Sequence, residues 1–357
     1  MKHNGFISMN GLFQIPKKYL RPFFFIAIFA AGGGILLLIV THAATPVSSF
    51  EAEDGTPDGV SRVTDITASA GHAIKFGTGT SSSGTAYVQP NSVGFLGDPN
   101  TLTIIDATHP VADPLNQCSW NNSDGVVCAK TDLTLDHVYI KGGLYWKGSG
   151  TLKITNSIIE GGQAFYTIYA EANAPIINIS DSTLRWPTSK AYPTGSDAAP
   201  IVMNGRAKEL LSRNNIYGQP HGVEVVADNS IIDSNWIHDL AYTSTDPHLD
   251  GIFIMGGKNI TVTHNYVDVT VNGTHATAAI FFQDQFGTGI DAPIIKNNFL
   301  VGGAFSYFNE NGTHTDTEDN IINPGIYGDV TVVKTGSTST WINNKHSDGS
   351  IVAKPSQ

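Results

Sequence analysis

The sequence of 357 residues has little charge and few of the residues that build long helices. Asp, Glu, Lys and Arg together make up 14 % of the chain, and long runs rich in Leu, Glu and Lys are missing. No segment keeps an apolar period of about 3.6 residues, which excludes helical repeats. The chain instead contains 37 Gly and much Thr, Ser, Asn and Ile. This composition favours strands joined by turns.

Clusters of Lys and Arg are missing beyond the N-terminus, and the formal net charge is −11. We therefore expect no nucleic-acid partner. An acidic protein can still bind an anionic polymer, provided that it has a local cationic or metal-bearing groove.

Cysteine is scarce, since Cys118 and Cys128 are the only two in the chain. No further Cys or His lies at zinc-like spacing from them, so a metal pair is disfavoured. In an exported protein this pair predicts a disulfide.

The N-terminus has the pattern of a targeting segment. Residues 1–21 are basic and are expected to stay in the cytoplasm. Residues 22–41 follow, with 19 uncharged residues from Pro22 to Val40, close to the ~20 needed to span a bilayer. A cleaved signal peptide is the alternative, with Thr41-His42-Ala43-Ala44 as its cleavage site. Either interpretation predicts export, as a membrane-anchored protein on the extracellular face or as a secreted one.

Residues 45–90 read as a short β segment followed by a linker. The strand-like pieces Ser49–Gly55 and Ala68–Phe76 resemble the opening of β-sandwich carbohydrate-binding modules of families 6 and 35. A sandwich needs around 100 residues, but the chain enters a Gly/Ser/Thr-rich stretch at Thr78. We therefore interpret the segment as a remnant of such a module, a strand pair that docks on or caps the next domain.

Residues 91–350 contain a repeat, in which a polar pair follows an apolar run every 20 to 33 residues. The pairs are Asp136-His137, Asn156-Ser157, Asp181-Ser182, Asn214-Asn215, Ser234-Asn235, His264-Asn265, Asn297-Asn298, Asp319-Asn320 and Asn343-Asn344. Propeller blades are longer than this period, and leucine-rich repeats need a Leu ladder that the chain lacks. The repeat therefore predicts an all-β, parallel β-helix solenoid of roughly nine coils. Its corner Asn residues would adopt left-handed geometry and bond along a ladder.

Two motifs in the repeat resemble known β-helical families. Asp250-Gly251-Ile252, with Gly256-Gly257 and Asn259-Ile260 after it, is similar to repeats of the secreted right-handed β-helix superfamily typified by pectate lyases. The resemblance implies a right-handed coil. It implies no single reaction, because the superfamily includes lyases, hydrolases, epimerases, esterases and receptor-binding proteins. Asp246-Pro247-His248 also resembles the active-centre triplet of mannuronan C5-epimerases, which implies proton transfer at C5 of a uronate.

Aligning Gly222, Gly251 and Ala279 as equivalent strand positions brings several polar residues together. His221 then lies beside Asp250, and Glu224, Phe253 and Phe281 occupy one outward position in three successive coils. Asp250 before Gly251 can equally be a simple turn residue. The predicted catalytic residues are His248, Asp250, Asp246 and His221. The predicted substrate contacts are Glu224, Phe253, Phe281, Gln283 and His238. Asp246, Asp250 and Asp284 are the candidate ligands for Ca²⁺.

The leading hypothesis is an exported monomer that acts on a uronate-containing polysaccharide as a lyase or an epimerase. Both reactions begin with removal of a proton next to a carboxylate, which needs a base and a stabilising positive charge. A hydrolase would use two carboxylates, which Asp246, Asp250 and Asp284 or Glu224 could supply. The main rival is a carbohydrate-binding adhesin without catalysis, and the third alternative is a purely structural coil stack at the cell surface.

Overall fold

The computed structural model describes residues 60–64, 72–76, 86–113, 118–162, 166–170, 176–187, 201–203, 207–241, 248–270, 276–334 and 337–355. The chain divides into two compact units, residues 1–83 and residues 84–357. The predicted segments 1–21 and 22–41 lie outside the described residues. Within the described ranges no helix is long and apolar enough to cross a membrane.

The first unit contains an antiparallel hairpin of strands β1 (Val60–Thr64) and β2 (His72–Phe76). β2 falls within the second strand-like piece of the sequence prediction, whereas β1 lies in a stretch that we had not read as a strand. The predicted strand at 49–55 and the linker at 78–85 lie outside the described residues.

Sheets I and II are the two longest sheets of the second unit, with nine parallel strands each. Sheet I consists of β7 (Leu133–Asp136), β10 (Thr151–Thr155), β13 (Ile176–Ser180), β16 (Lys208–Ser212), β19 (Ile231–Asp233), β23 (Thr261–Thr263), β27 (Ile294–Lys296), β31 (Thr315–Glu318) and β34 (Thr338–Ile342). Sheet II consists of β3 (Thr103–Ile105), β8 (Val138–Lys141), β11 (Ile158–Glu160), β14 (Thr183–Arg185), β17 (Asn215–Tyr217), β20 (Trp236–His238), β24 (Tyr266–Val269), β28 (Phe299–Gly302) and β32 (Ile321–Ile322).

The third face is divided into two sheets, IIIa and IIIb. Sheet IIIa consists of β4 (Ala112–Asp113), β5 (Cys118–Asn121), β6 (Gly125–Cys128), β9 (Leu144–Trp146), β12 (Ile168–Ala170) and β15 (Ile201–Met203). Sheet IIIb consists of β18 (His221–Val225), β21 (Leu249–Ile254), β25 (Ala276–Phe282), β29 (Phe305–Asn309) and β33 (Gly328–Val332). A small corner sheet contains β22 (Gly257–Lys258), β26 (Ile290–Asp291) and β30 (Gly312–Thr313).

The chain visits sheets III, I and II in turn, and each strand pairs with the equivalent strand of the next coil. Sheet I therefore counts nine coils, which confirms the parallel β-helix and the number predicted from the repeat. The described part of the second unit has no α-helix and one short 3₁₀ turn, Pro99–Thr101. Inward Val, Ile and Leu side chains of all three faces form one continuous core along the axis.

The start of sheet IIIa departs from the parallel pattern. β4, β5 and β6 pair antiparallel, and β6 then pairs in parallel with β9. Cys118 on β5 and Cys128 on β6 are register partners and form the predicted disulfide, with their Cα atoms 4.1 Å apart. The bond closes the first hairpin against the core, where both cysteines are buried.

A ladder of buried Asn side chains lines the corner between sheets I and II. The amide nitrogen of Asn235 donates to the amide oxygen of Asn265, and Asn265 donates in the same way to Asn298, both at 3.0 Å. The Asn265 nitrogen also donates to the Ile232 carbonyl of the preceding coil at 2.8 Å. Each side chain thus satisfies buried backbone groups that the turn leaves without a strand partner.

The left-handed position of each corner lies one residue before the ladder. His264 has a φ of 57° and Asn297 a φ of 58°, while Asn265 and Asn298 carry the ladder bonds. We had assigned both properties to one corner Asn. Two predicted pairs are also shifted by one residue, because the corner pairs are His137-Val138 and Arg213-Asn214.

Glu209 is an acid inside the apolar core. It lies on β16 in register with Ile177 of β13, it is fully buried, and neither carboxyl oxygen has a hydrogen-bond partner. Desolvation raises its pKa well above the usual value, and the negative charge of Glu224 raises it further. The neutral form is therefore favoured in the folded protein.

Replacing Asn265 with Ala removes ladder bonds from both neighbouring coils. We expect the free energy of unfolding to fall by about 2–3 kcal/mol, because buried donors and acceptors are left without partners. Chemical denaturation measures the change. Asn178→Ala, an outward-facing Asn on β13, is the control and should change stability by less than about 0.5 kcal/mol. Equal effects of the two substitutions would contradict the importance of the ladder.

Replacing Glu209 with Gln should stabilise the protein at neutral pH. The raised folded pKa means that both states are protonated well below the unfolded value of 4.5. The wild type then loses stability as the pH rises above that value, because the unfolded state releases the proton first. Melting temperatures should thus agree near pH 4 and diverge in favour of Gln towards pH 8. Glu310→Gln, on a partly exposed residue, is the control and should show no comparable divergence.

Candidate functional site

The strands of sheet IIIb follow, along the chain, the corner at which the coils have their longest connections. Between sheets I and II the coils turn within one or two residues, as between β10 and β11. Between sheets II and III the connections include residues 186–200 before β15 and residues 239–248 before β21. In solenoids such insertions cluster on the face that carries function.

The register of sheet IIIb is the one predicted from the sequence. His221 on β18 pairs with Asp250 on β21, and Glu224 pairs with Phe253. Phe253 pairs in turn with Phe281 on β25. The alternation that we used for alignment is therefore confirmed at these three strands.

His221 lies between two carboxyl groups. Its Nδ1 atom lies 3.0 Å from Oε1 of Glu224, and its Nε2 atom lies 3.9 Å from Oδ2 of Asp250. The exposed fraction of the side chain is 3 % for His221, 17 % for Glu224 and 0 % for Asp250. Of the two acids, only Glu224 is thus partly open to solvent, whereas Asp250 is fully buried beside the imidazole.

Burial dominates the acidity of Asp250. Desolvation raises its pKa to about 6, against the lowering effects of His221, His248 and the Ala278 backbone N–H. The carboxyl oxygens make no hydrogen bond of ordinary geometry. Asp250 therefore changes its charge close to neutral pH, directly beside the His221 ring.

Gly251, directly after Asp250, lies where the strands pack most closely. A Cβ atom at this position would lie 2.5 Å from the Ala279 carbonyl oxygen and 2.2 Å from a Val267 methyl group. Gly251 thus allows β21 to approach β25 and the strand β24 at a point where any side chain would clash. Gly251 is therefore required for the packing of the coil. Asp250, the other member of the Asp-Gly pair, lies beside His221.

A pocket of about 290 Å³ opens at this cluster. The predicted residues that line it are His221, Glu224, His248, Phe253 and Gln283. His248 is exposed just before β21, and its Nδ1 atom lies 3.4 Å from the Thr277 hydroxyl. Met255 and Gln285 also line the pocket and were not predicted. Their signal was present, because each lies two residues beyond a predicted contact, Phe253 or Gln283, and so faces the same side of the sheet.

Phe253 and Phe281 are not the exposed platform that we expected. Their rings stack with centroids 5.0 Å apart, but each residue is only 2 % exposed. With Val226, Met255 and Ala278 they form a second apolar cluster on the outer side of sheet IIIb, separate from the main core. They support the pocket by packing, and they offer no open ring face to a sugar.

His238 does not extend the pocket as predicted. It lies on β20 in sheet II, because the coil has not yet turned the corner to sheet IIIb at that residue. Its ring stacks on Trp236 at 3.6 Å, and its nitrogens contact Asp239 and Asn215. The side chain is therefore occupied in the outer face of sheet II.

The calcium prediction stays a prediction, and two of its three residues have other roles in the described structure. Asp284 accepts hydrogen bonds from the backbone N–H groups of Thr288 and Gly289, which hold its own turn. Asp250 is buried with a raised pKa, so its neutral form competes with metal binding. Asp246 lies outside the described residues. Among the residues that are described, no group of three His, Cys, Asp or Glu side chains could hold a metal ion.

The sequence matches the family described as right handed beta helix region over residues 119–346, more than half of the chain. The chain belongs to the right-handed β-helix family. Comparisons with the curated proteins and with the solved structures gave no match. A right-handed β-helix fits a polysaccharide-acting protein in general, whereas the finer likeness to pectate lyases stays a prediction.

The buried position of Phe253 changes what its removal should do. We expect Phe253→Ala to destabilise the right-handed β-helix by about 3–4 kcal/mol, because it leaves a cavity beside Phe281. Phe286→Ala, at a ring that is 51 % exposed on the connection after β25, is the control and should cost less than about 1 kcal/mol. Urea denaturation compares the two variants. An unchanged midpoint for Phe253→Ala would show that the ring is not packed as described.

Proposed function

We propose that this right-handed β-helix acts on a uronate-containing polysaccharide by proton transfer, as a lyase or an epimerase. The observation that carries the proposal is the row of Glu224, His221 and Asp250, with His248 lining the same pocket. A carboxylate, two imidazoles and two amides around one cavity supply the acid, base and hydrogen-bonding groups that such chemistry needs.

The exposure of the acids favours proton abstraction over hydrolysis. A glycoside hydrolase needs two carboxyl groups that flank the scissile bond. Of the described acids beside this pocket, Glu224 lines it, whereas Asp250 is fully buried behind His221. The remaining groups that can transfer a proton to a substrate there are imidazoles.

Each residue has a role in the proposed reaction. His248, the exposed imidazole, takes the proton from C5, next to the uronate carboxylate. His221 in its charged form stabilises the dianion that results, and Asp250 positions His221 and favours that charge. Gln283 and Gln285 donate amide hydrogen bonds to the sugar.

The dianion can then follow either of two courses. In a lyase the C4–O bond breaks, and the leaving oxygen takes a proton. In an epimerase C5 receives a proton on its opposite face. The charged His221 is the proton donor in the pocket for either step, and the Glu224 carboxylate beside it holds the ring in place.

The proposal extends to the setting of the protein. The basic and apolar N-terminus supports export, with the β-helix outside the cell and either anchored or released. Asp246-Pro247-His248, in which His248 lines the pocket, supports epimerisation, and Asp246 would assist His248. We propose a monomer whose partners are the polysaccharide and, if the apolar segment is retained, the membrane.

Replacing His248 with Ala tests the proposal. The full-length protein is incubated with polygalacturonate and alginate, and products are followed by absorbance near 235 nm, by reducing ends and by NMR of the uronate. We expect the variant to lose at least about a hundredfold in turnover, which is what a general acid or base usually contributes. Its stability should hardly change, since His248 is exposed and opens no cavity.

His314→Ala is the matched control, because His314 is an exposed imidazole at the corner next to β30 and contacts Asp291 at 2.6 Å. It should react like the wild type. Equal turnover by His248→Ala and the wild type would overturn the catalytic role of His248. A wild type that binds a polysaccharide and never changes it, by NMR as well, would instead be an adhesin.

A further inference from the structure

Three Tyr side chains cluster on sheet IIIa, outside the pocket. Tyr145 on β9 and Tyr169 on β12 are register partners, and their ring centroids are 4.9 Å apart. Tyr166 lies just before β12, with its ring 5.2 Å from that of Tyr169 and its hydroxyl 3.3 Å from Asp124. Tyr145 and Tyr169 are half-buried, so part of each ring remains at the surface.

An exposed Lys is held against this cluster. The Lys147 ammonium nitrogen lies 4.4 Å from the centre of the Tyr145 ring, at the distance of a cation–π contact. Its backbone N–H donates to the Cys128 carbonyl at 2.7 Å. This bond fixes Lys147, which directly follows β9, to the neighbouring strand β6 of sheet IIIa. Lys130 follows Cys128 by two residues and is also exposed. The patch therefore has a cation whose position is restricted by an aromatic ring.

The patch and the pocket belong to the same face of the β-helix. The coil that carries β9 is followed by those of β12, β15 and β18, and β18 holds His221 and Glu224. At a strand spacing of about 4.8 Å, three steps separate the two places by roughly 15 Å. A polymer chain bridges that distance, whereas a chain of three linked sugars with its reacting residue in the pocket ends short of it.

Because the pocket has no Lys or Arg, a cation elsewhere on the same face would help to bind a polyuronate. None of the residues that line it is Lys or Arg, and Glu224 adds a negative charge. The chain as a whole carries −11. A polyuronate therefore approaches a repulsive surface, and its carboxylates need local positive charge elsewhere on the same face.

We propose that Lys147, positioned by Tyr145, is a subsite for a carboxylate of a uronate polymer whose reacting residue lies in the His221 pocket. This inference rests on the proposed function and adds where the rest of the chain of sugars is bound. Tyr169 and Tyr166 complete the subsite by holding the Tyr145 ring in place. Its occupant is an anionic polysaccharide long enough to reach from one place to the other.

Binding by chain length tests the subsite. The full-length protein is titrated with a uronate polymer and with the trisaccharide made from it, for the wild type, Lys147→Glu and Lys153→Glu. Lys153 is exposed on β10 in sheet I, in the same coil, so the control makes the same change of charge on another face. We expect Lys147→Glu to weaken polymer binding at least about fivefold, as for a surface ion pair at the upper end of its range.

The trisaccharide should bind all three proteins equally, because it is too short to span both places, and Lys153→Glu should leave polymer binding unchanged. Equal losses for the two Lys variants would overturn the subsite, since overall charge alone would then explain the effect. Polymer binding that Lys147→Glu leaves unchanged would also overturn it, without touching the pocket. A wild type that binds no uronate polymer would overturn the proposed function and the subsite together.

Discussion

The closing of every coil at the same corner is the constraint on which the remaining structure depends. A parallel strand has no partner within its own coil, so each coil is stable only where its neighbour repeats the register. Asn235, Asn265 and Asn298 enforce that repeat, because each binds the backbone of one coil and the side chain of the next. A corner so tightly bonded tolerates no long insertion, which explains why the connections between sheets I and II stay at one or two residues.

The described residues at the corner between sheets II and III form no such ladder, and the connections there differ in length. The third face is consequently the variable one, and it is divided where β15 and β18 share no ladder bonds. His221 and Glu224 lie on the first strand after that division. In the described part of the chain, the interruption leaves β18 with a strand partner on one side only.

Prediction from the sequence succeeded where a short period determined the result. The alternation of two residues fixed the register of His221 with Asp250 and of Glu224 with Phe253, and the repeat fixed the number of coils. Prediction failed where contacts with another coil are involved, in the backbone conformation of a corner residue and in the burial of a side chain. Arg213 occupies a left-handed corner position, and its guanidinium binds Asp181 at the equivalent corner of the preceding coil. The outward rings of Phe253 and Phe281 are buried by packing that alternation cannot show. The roles proposed for the pocket residues remain predictions, and Asp246 lies outside the described residues.

Three acids near this site interact electrostatically with one another. Glu209 faces the core, Glu224 faces the pocket and Asp250 is enclosed. Burial is the main cause of the raised pKa of Glu209 and of Asp250, and the negative charge of Glu224 raises both further. Burial of a carboxyl group costs stability, and the apolar core elsewhere offsets that cost. Glu224 and Asp250 flank the His221 ring, so a positive charge on that ring would interact favourably with both acids. No Lys or Arg lines this pocket. An imidazole flanked by two acids is therefore the group best placed to carry the positive charge that proton abstraction would need.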